Sequence, residues 1–318
     1  MAIATPAAPA PRLAAFRWQR LADAPAARTE VAAAALGDGR ILVAGGFGPG
    51  GTVDTVELYD PATDSWTEGP PLPVEVNHAM AAAAGGDVYV FGGFTAAGPP
   101  TDQAHVFRYG AWEALPSMPE PRGAGGAAAA GADAGGERIY VVGGISGSGH
   151  ATTTLVFDPA TEAWSTAPGL DRPRDHLGVA GDGSSVYAVG GRTGAGNLAD
   201  VEMFDVSDGS WRRVPDMPTA RGGLGAGATS SGLVIAAGGE IPGTFEEVEA
   251  LFRRPSGRFH WVRLPPLPTS RHGLGVVAIG NQVYALHGGP EEGLSFSGLA
   301  ERIRHTPPGT LRCAGFAT

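Results

Sequence analysis

The sequence predicts an all-β protein, a closed ring of six sheets with four antiparallel strands in each. Three observations carry that expectation. A Gly-Gly pair ends a short apolar run six times, in LVAGG (Gly45, Gly46), YVFGG (Gly92, Gly93), YVVGG (Gly143, Gly144), YAVGG (Gly190, Gly191), IAAGG (Gly238, Gly239) and LHGG (Gly288, Gly289). The six Trp of the chain, at 18, 66, 112, 164, 211 and 261, fall at one place of the same period, 46 to 52 residues apart. VELYDPATDSW (56–66) and LVFDPATEAW (155–164) each read as a strand, a Pro-initiated turn and the start of a second strand.

Within the first unit the strands fall at roughly 29–36, 40–44, 54–60 and 65–68, from the ring axis outward. Gly37-Asp38-Gly39 joins the first two, with Gly supplying positive φ. The innermost strands are written in tiny residues, AAAAL, AMAAAA, GAGGAAAA and GLGAGA, although Ala and Gly are poor strand formers. Sheets that converge on an axis leave least room at the centre, and the aromatics fill the wider outer spaces. The third strands carry Tyr59, Phe107, Phe157, Phe204 and Phe252. A seventh Trp is due near 309, where the chain reads TPPGT, and Trp18 has no partner. RWQRL (17–21) is therefore expected to supply the outermost strand of the sixth sheet, beside a strand from about 298 to 305, removing two exposed sheet edges.

A double Gly after an apolar run, then an aromatic and a Trp at fixed distance, resembles the kelch repeat. The resemblance implies a six-bladed kelch-type β-propeller over residues 13–306, one domain, with a disordered leader at 1–12 and a tail at 307–318. It covers nearly the whole chain and is specific for fold, but says little about function.

The 318 residues carry a net charge of −10 and a pI near 5.2, which works against nucleic acid and anionic membranes, both of which need a basic surface. Cys313 is the only Cys, so no intrachain disulfide forms and no Cys-rich metal site is indicated. The leader, MAIATPAAPAPRLAA, is broken by Pro where a signal peptide needs an apolar run, so a cytoplasmic monomer is expected.

Several classes of chemistry lack their motifs in this sequence. GGFGPGG (45–51) and GISGSG (144–149) neither end in Gly-Lys-Ser/Thr nor open a helix, so they are not phosphate loops. No nucleophile elbow is present. Some kelch-like propellers are copper oxidases using a Tyr cross-linked to Cys, but here Cys313 lies in the tail and the Tyr hold repeat positions. The iron-binding pattern of Glu, Asp and His at four-residue steps is absent.

What remains is the end of the ring where the first strand begins and the second ends. One repeat position there holds Arg28, Val76, Arg122, Arg174, Arg221 and Arg271. Two readings stand. The Arg belong to the frame, bonding carbonyls or Glu57, Glu202 and Glu249, or they form a ring of cations for an anionic ligand, with a planar fork suited to carboxylates. Departures from the repeat are more informative. Glu30, Asn77, His78, Asp175, His176 and His272 follow the aligned position unevenly, His150 sits in the third loop, and His287 replaces an apolar residue before Gly-Gly. His272 is one residue out of phase with His78 and His176, which argues against a three-His metal site. No cofactor is expected, a metal at these His being the minority alternative.

The loops at this mouth are too short for a lid, which favours a presented surface. The primary expectation is a binding module offering the mouth to a protein, a peptide or a small anionic ligand. The alternative is a small-molecule enzyme at the same mouth, similar in architecture to bacterial sugar-acid mutarotases, with Glu30, Asp175 or a His moving protons.

Overall fold

The computed structural model describes residues 16–131, 136–147 and 149–305; the expected leader, the tail and Cys313 lie outside them. The described strands form six four-stranded antiparallel sheets arranged as the blades of a propeller. In blade one the order from the axis is Ala32–Ala35, Ile41–Ala44, Val56–Asp60 and Ser65–Glu68. Blades two to five repeat it, and no helix is long and apolar enough to cross a membrane among the described residues.

Blade six draws its inner three strands, Gly275–Ile279, Gln282–Leu286 and Ala300–His305, from the end of the chain and its outermost, Phe16–Arg20, from the beginning. Trp18 stands opposite Ile303 in that pairing, as Trp66 stands opposite Tyr59 in blade one. The clasp inferred from the unpaired Trp is therefore the closure of the ring.

The blades converge as the inner composition requires. A Cβ on Gly225 would lie 2.4 Å from a Val276 methyl of the next blade, so the innermost strands touch through missing side chains. Farther out, each of the six blade interfaces has its own hydrophobic cluster, and the last joins Ile41, Val43 and Tyr59 of blade one to Tyr284 and Leu286 of blade six. The six Trp tie the rim together. Every indole N–H donates to a backbone carbonyl before the neighbouring innermost strand, at 2.8–2.9 Å: Trp18 to Pro265, Trp66 to Ala22, Trp112 to Pro70, Trp164 to Pro116, Trp211 to Pro168 and Trp261 to Pro215. Trp suits the post because it brings a large apolar face and a donor that needs an acceptor when partly buried.

Two sequence expectations shift by one residue. In blade five Leu251, not Phe252, stands opposite Trp261, and Phe252 faces His260. In blade six the double-Gly position is His287-Gly288. His287 has φ 58° and Gly288 has φ 101°, matching Gly45 (63°) and Gly46 (103°), and Gly288 N donates to Arg28 O as Gly46 N donates to Val76 O. His287 thus replaces the first Gly of the pair rather than an apolar residue before it.

Candidate functional site

The Arg position is settled by burial. Arg28, Arg122, Arg174, Arg221 and Arg271 are each at most 1% exposed, packed inside their own blades. Arg28 meets Glu57 at 2.6 Å, Arg174 meets Glu202 at 2.5 Å, Arg221 meets Glu249 at 2.6 Å and Arg271 meets Glu301 at 2.7 Å, while Arg122 turns to Glu120. Their other donors reach second-strand carbonyls; Arg221, for example, bonds Gly238 O and Ala236 O. Burial lowers each guanidinium and the facing carboxylate pulls it back up. A ring of free cations at the mouth is therefore corrected: these forks hold the frame together. Blade two omits both partners at once, with Val76 for the Arg and a buried His105 where blade one has Glu57.

Two residues beyond the Arg position the chain turns at the axis. Glu30, His78, Ala124, His176, Gly223 and Gly273 occupy equivalent places, all with φ between 51° and 68°. They are linked around the axis by backbone hydrogen bonds from His78 N to Glu30 O, Ala124 N to His78 O, His176 N to Ala124 O, Gly223 N to His176 O and Gly273 N to Gly223 O. A left-handed conformation costs a non-Gly residue about 1–2 kcal/mol, so Gly223 and Gly273 are what the backbone asks for. Glu30, His78 and His176 hold the same position against that preference, a pattern typical of functional sites.

These three side chains close one end of an axial channel of about 280 Å³ whose remaining lining is Ala, Gly, Val, Leu and Met80. Around them gathers a polar cluster. The His78 and His176 rings meet edge to face at 4.9 Å, and His78 Nε2 lies 3.2 Å from Glu30 Oε2. Asn77 Oδ1 is 2.6 Å from His78 Nδ1, while its amide nitrogen donates to Thr52 and to Phe94 O. Asp175 bonds His176 Nδ1 and receives His150 Nε2 at 2.6 Å. Arg192 bridges His176 Nε2 at 2.8 Å and Glu240 at 2.7 Å, and His272 Nδ1 approaches Glu30 at 3.1 Å and Glu240 at 3.6 Å.

Burial pushes the His78 imidazole down to about 4 against the pull of Glu30. Burial alone would raise the Glu30 carboxyl, but the imidazoles of His78, His272 and His176 hold it well below the usual carboxylate range. His272 moves the other way: burial opposes its charge, yet Glu30 and Glu240 outweigh that and raise it. The cluster sets the carboxylates of Asp175 and Glu240 against the guanidinium of Arg192 and that of Glu30 against the imidazoles of His78 and His272.

Of the residues expected at the mouth, the structure brings together Glu30, Asn77, His78, Asp175, His176 and His272. It does not bring the five Arg, nor His287, which is fully buried between blades six and one against Trp66. Arg192 and Glu240 were missed, although they follow Gly-Gly directly at a place where blades one to three carry Phe47, Phe94 and Ile145. That break in an apolar repeat position was the available signal.

Comparison with known proteins agrees with this architecture. The model of the Kelch motif matches residues 32–73, 127–170 and 173–218. The Kelch-like protein terF of Aspergillus terreus is 34% identical over 48% of this chain and 36% of its own length. Kelch-like protein 35 of Mus musculus is 29% identical over 44% of this chain and 23% of its own. The chain thus spans about a third or less of these curated relatives. The solved structure titled "Structure of YjhT" superposes with a TM-score of 0.70 at 18% identity, over 87% of this chain and 95% of that one, a likeness of fold. Three matched Kelch motifs, set in a ring of six four-stranded blades, make this chain similar in sequence and architecture to the kelch-type β-propellers.

Proposed function

We propose that the chain is a binding module that receives a protein or peptide at the channel mouth. One observation carries the choice of a polypeptide. Among the described residues three large apolar side chains are exposed, and two of them, Ile241 (41%) and Leu294 (73%), stand on adjacent mouth loops of blades five and six. Those loops are held by Gly243 N donating to Glu292, Gly293 N donating to Glu240 and Asn197 donating to Ile241 O. Apolar anchors on a fixed rim beside a polar centre are the makings of an interface. An anionic ligand loses its basis with the burial of the five Arg.

The alternative of a small-molecule isomerase keeps Glu30, Asp175 and His78 as convergent proton carriers, but the five Arg expected to clamp a carboxylate are buried, and Arg192 is already paired with Glu240 and His176. The readings separate in a capture experiment with immobilised propeller. Ile241→Asp with Leu294→Asp is expected to lose the polypeptides retained by the parent, while Tyr109→Asp, at a hairpin tip of the opposite face, keeps them. Equal retention by both variants, or none by the parent, defeats the polypeptide reading.

A further inference from the structure

We propose that Glu30, His78 and His176 form a binding site for a divalent transition ion of the Fe(II)-to-Zn(II) class, seated on the axis at the channel end. The inference is independent of what the mouth loops bind. Carboxylate and imidazole donor atoms of the three lie within 4.8 Å of one another. Two imidazoles and one carboxylate suit these ions and leave open positions, which here face the channel.

The orientation of the rings supports this more than the distances do. Asn77 must point its amide nitrogen at Phe94 O, so its oxygen faces His78 and accepts the Nδ1 proton. Asp175 likewise takes the Nδ1 proton of His176. The Nε2 lone pair of His78 is thereby turned toward Glu30 and that of His176 toward Arg192, the arrangement in which a second group fixes the tautomer of a metal-binding His. With its proton held at Nδ1 by Asn77, His78 sets Nε2 against Glu30 Oε2 at 3.2 Å, two acceptors facing one another. A cation between them resolves the conflict. At His176 the guanidinium of Arg192 occupies that role, donating to Nε2. Its side chain is 24% exposed and rides on the short ribbon Arg192–Thr193, so an ion displaces it toward Glu240 and solvent.

The neighbouring group of Glu30, Glu240 and His272 is also compact, but both ring nitrogens of His272 already face acceptors, Nδ1 the Glu30 carboxylate and Nε2 the carbonyl of Glu291, each at 3.1 Å. The ring position adds an argument from backbone. Gly already serves it in blades five and six, so side chains in the left-handed conformation at 30, 78 and 176 are not there for the fold.

The test is a titration of the untagged, chelator-treated protein with Co(II), followed by its visible absorption and then by displacement with Zn(II). One ion per chain is expected, with the band intensity of four- or five-fold coordination. His78→Gly and His176→Gly place at those positions the residue their sister blades carry, so the backbone is kept; each is expected to abolish the band, as is Glu30→Gln. Asn77→Ala is expected to weaken binding about 10–100-fold, as loss of an orienting group does. Arg192→Gln should tighten it by removing the competing cation. Absence of Co(II) binding by the parent, or binding unchanged in both Gly variants, overturns the proposal; weaker binding by Arg192→Gln refutes the displacement.

Discussion

Ala124 sits in the axial ring at φ 56° with no polar partner to justify it, buried to 4% exposure. Replacing it with Gly loses a buried methyl, worth about 0.8 kcal/mol, and relieves strain of about the same size. Ala124→Gly is therefore expected to leave the denaturation midpoint nearly unchanged. Ala128→Gly, in an extended strand of the same blade, has no strain to relieve and is expected to cost about 1–2 kcal/mol. The buried forks behave oppositely. Arg221→Ala strands Glu249, which is fully buried, and should cost about 3–5 kcal/mol in urea unfolding, because an uncompensated carboxylate is left behind. His287 gives the pH dependence. It is fully buried, and burial, reinforced by Arg28 and Arg271, holds its pKa well below 6.5, with Glu57 nearby at 3.4 Å. The unfolded chain binds a proton there that the folded one refuses, so stability present above pH 6.5 falls as pH drops below it. His287→Gly is expected to reduce that slope in unfolding measured between pH 7 and 5, leaving the share that buried His78 and His105 contribute in the same direction.

At the level of elements, the clasp concentrates the closure of the ring in five residues. Phe16–Arg20 pairs with Ala300–His305, and Phe16 and Trp18 fill the cluster between blades five and six. Deleting residues 1–22 uncovers that cluster and an unpaired strand edge, and is expected to abolish cooperative unfolding followed by Trp fluorescence; an unchanged transition would refute the clasp. The clasp was legible because a missing Trp near 309 and a spare Trp18 are two halves of one count. The Gly-Gly turns were legible for a steric reason: a Cβ on Gly92 would stand 2.1 Å from Arg122 O. Where the sequence misled, the cause was local. LHGG offers two Gly, but the left-handed position falls on His287, and only the backbone bond from Gly288 to Arg28 fixes the phase. The Arg forks could not be placed from spacing, since strand order leaves both the mouth and the blade interior within their reach. Arg192 and Glu240 directly follow their Gly-Gly pairs, in line with Phe47, Phe94 and Ile145, so their polarity was legible as a break in the repeat, whereas their pairing across blades four and five was not.

The whole molecule is a near-symmetric frame with an asymmetric centre. The rim Trp recur in all six blades, the double-Gly turns in five and the Arg-Glu forks across the second strand in four, each engaged within the frame. Function gathers where symmetry fails, on Glu30, His78 and His176, for which Gly would fold equally well. This division is the central claim, and linkage tests it directly. Thermal unfolding of the parent and of the His78→Gly, His176→Gly double variant would be followed with and without Zn(II). An ion held only by the folded ring, at 100 times its Kd, adds about 2.7 kcal/mol of stability. The account predicts a rise in the parent midpoint and none in the variant, which still unfolds cooperatively without metal. Equal shifts in both proteins, or collapse of the metal-free variant, would show that the axial His belong to the frame after all.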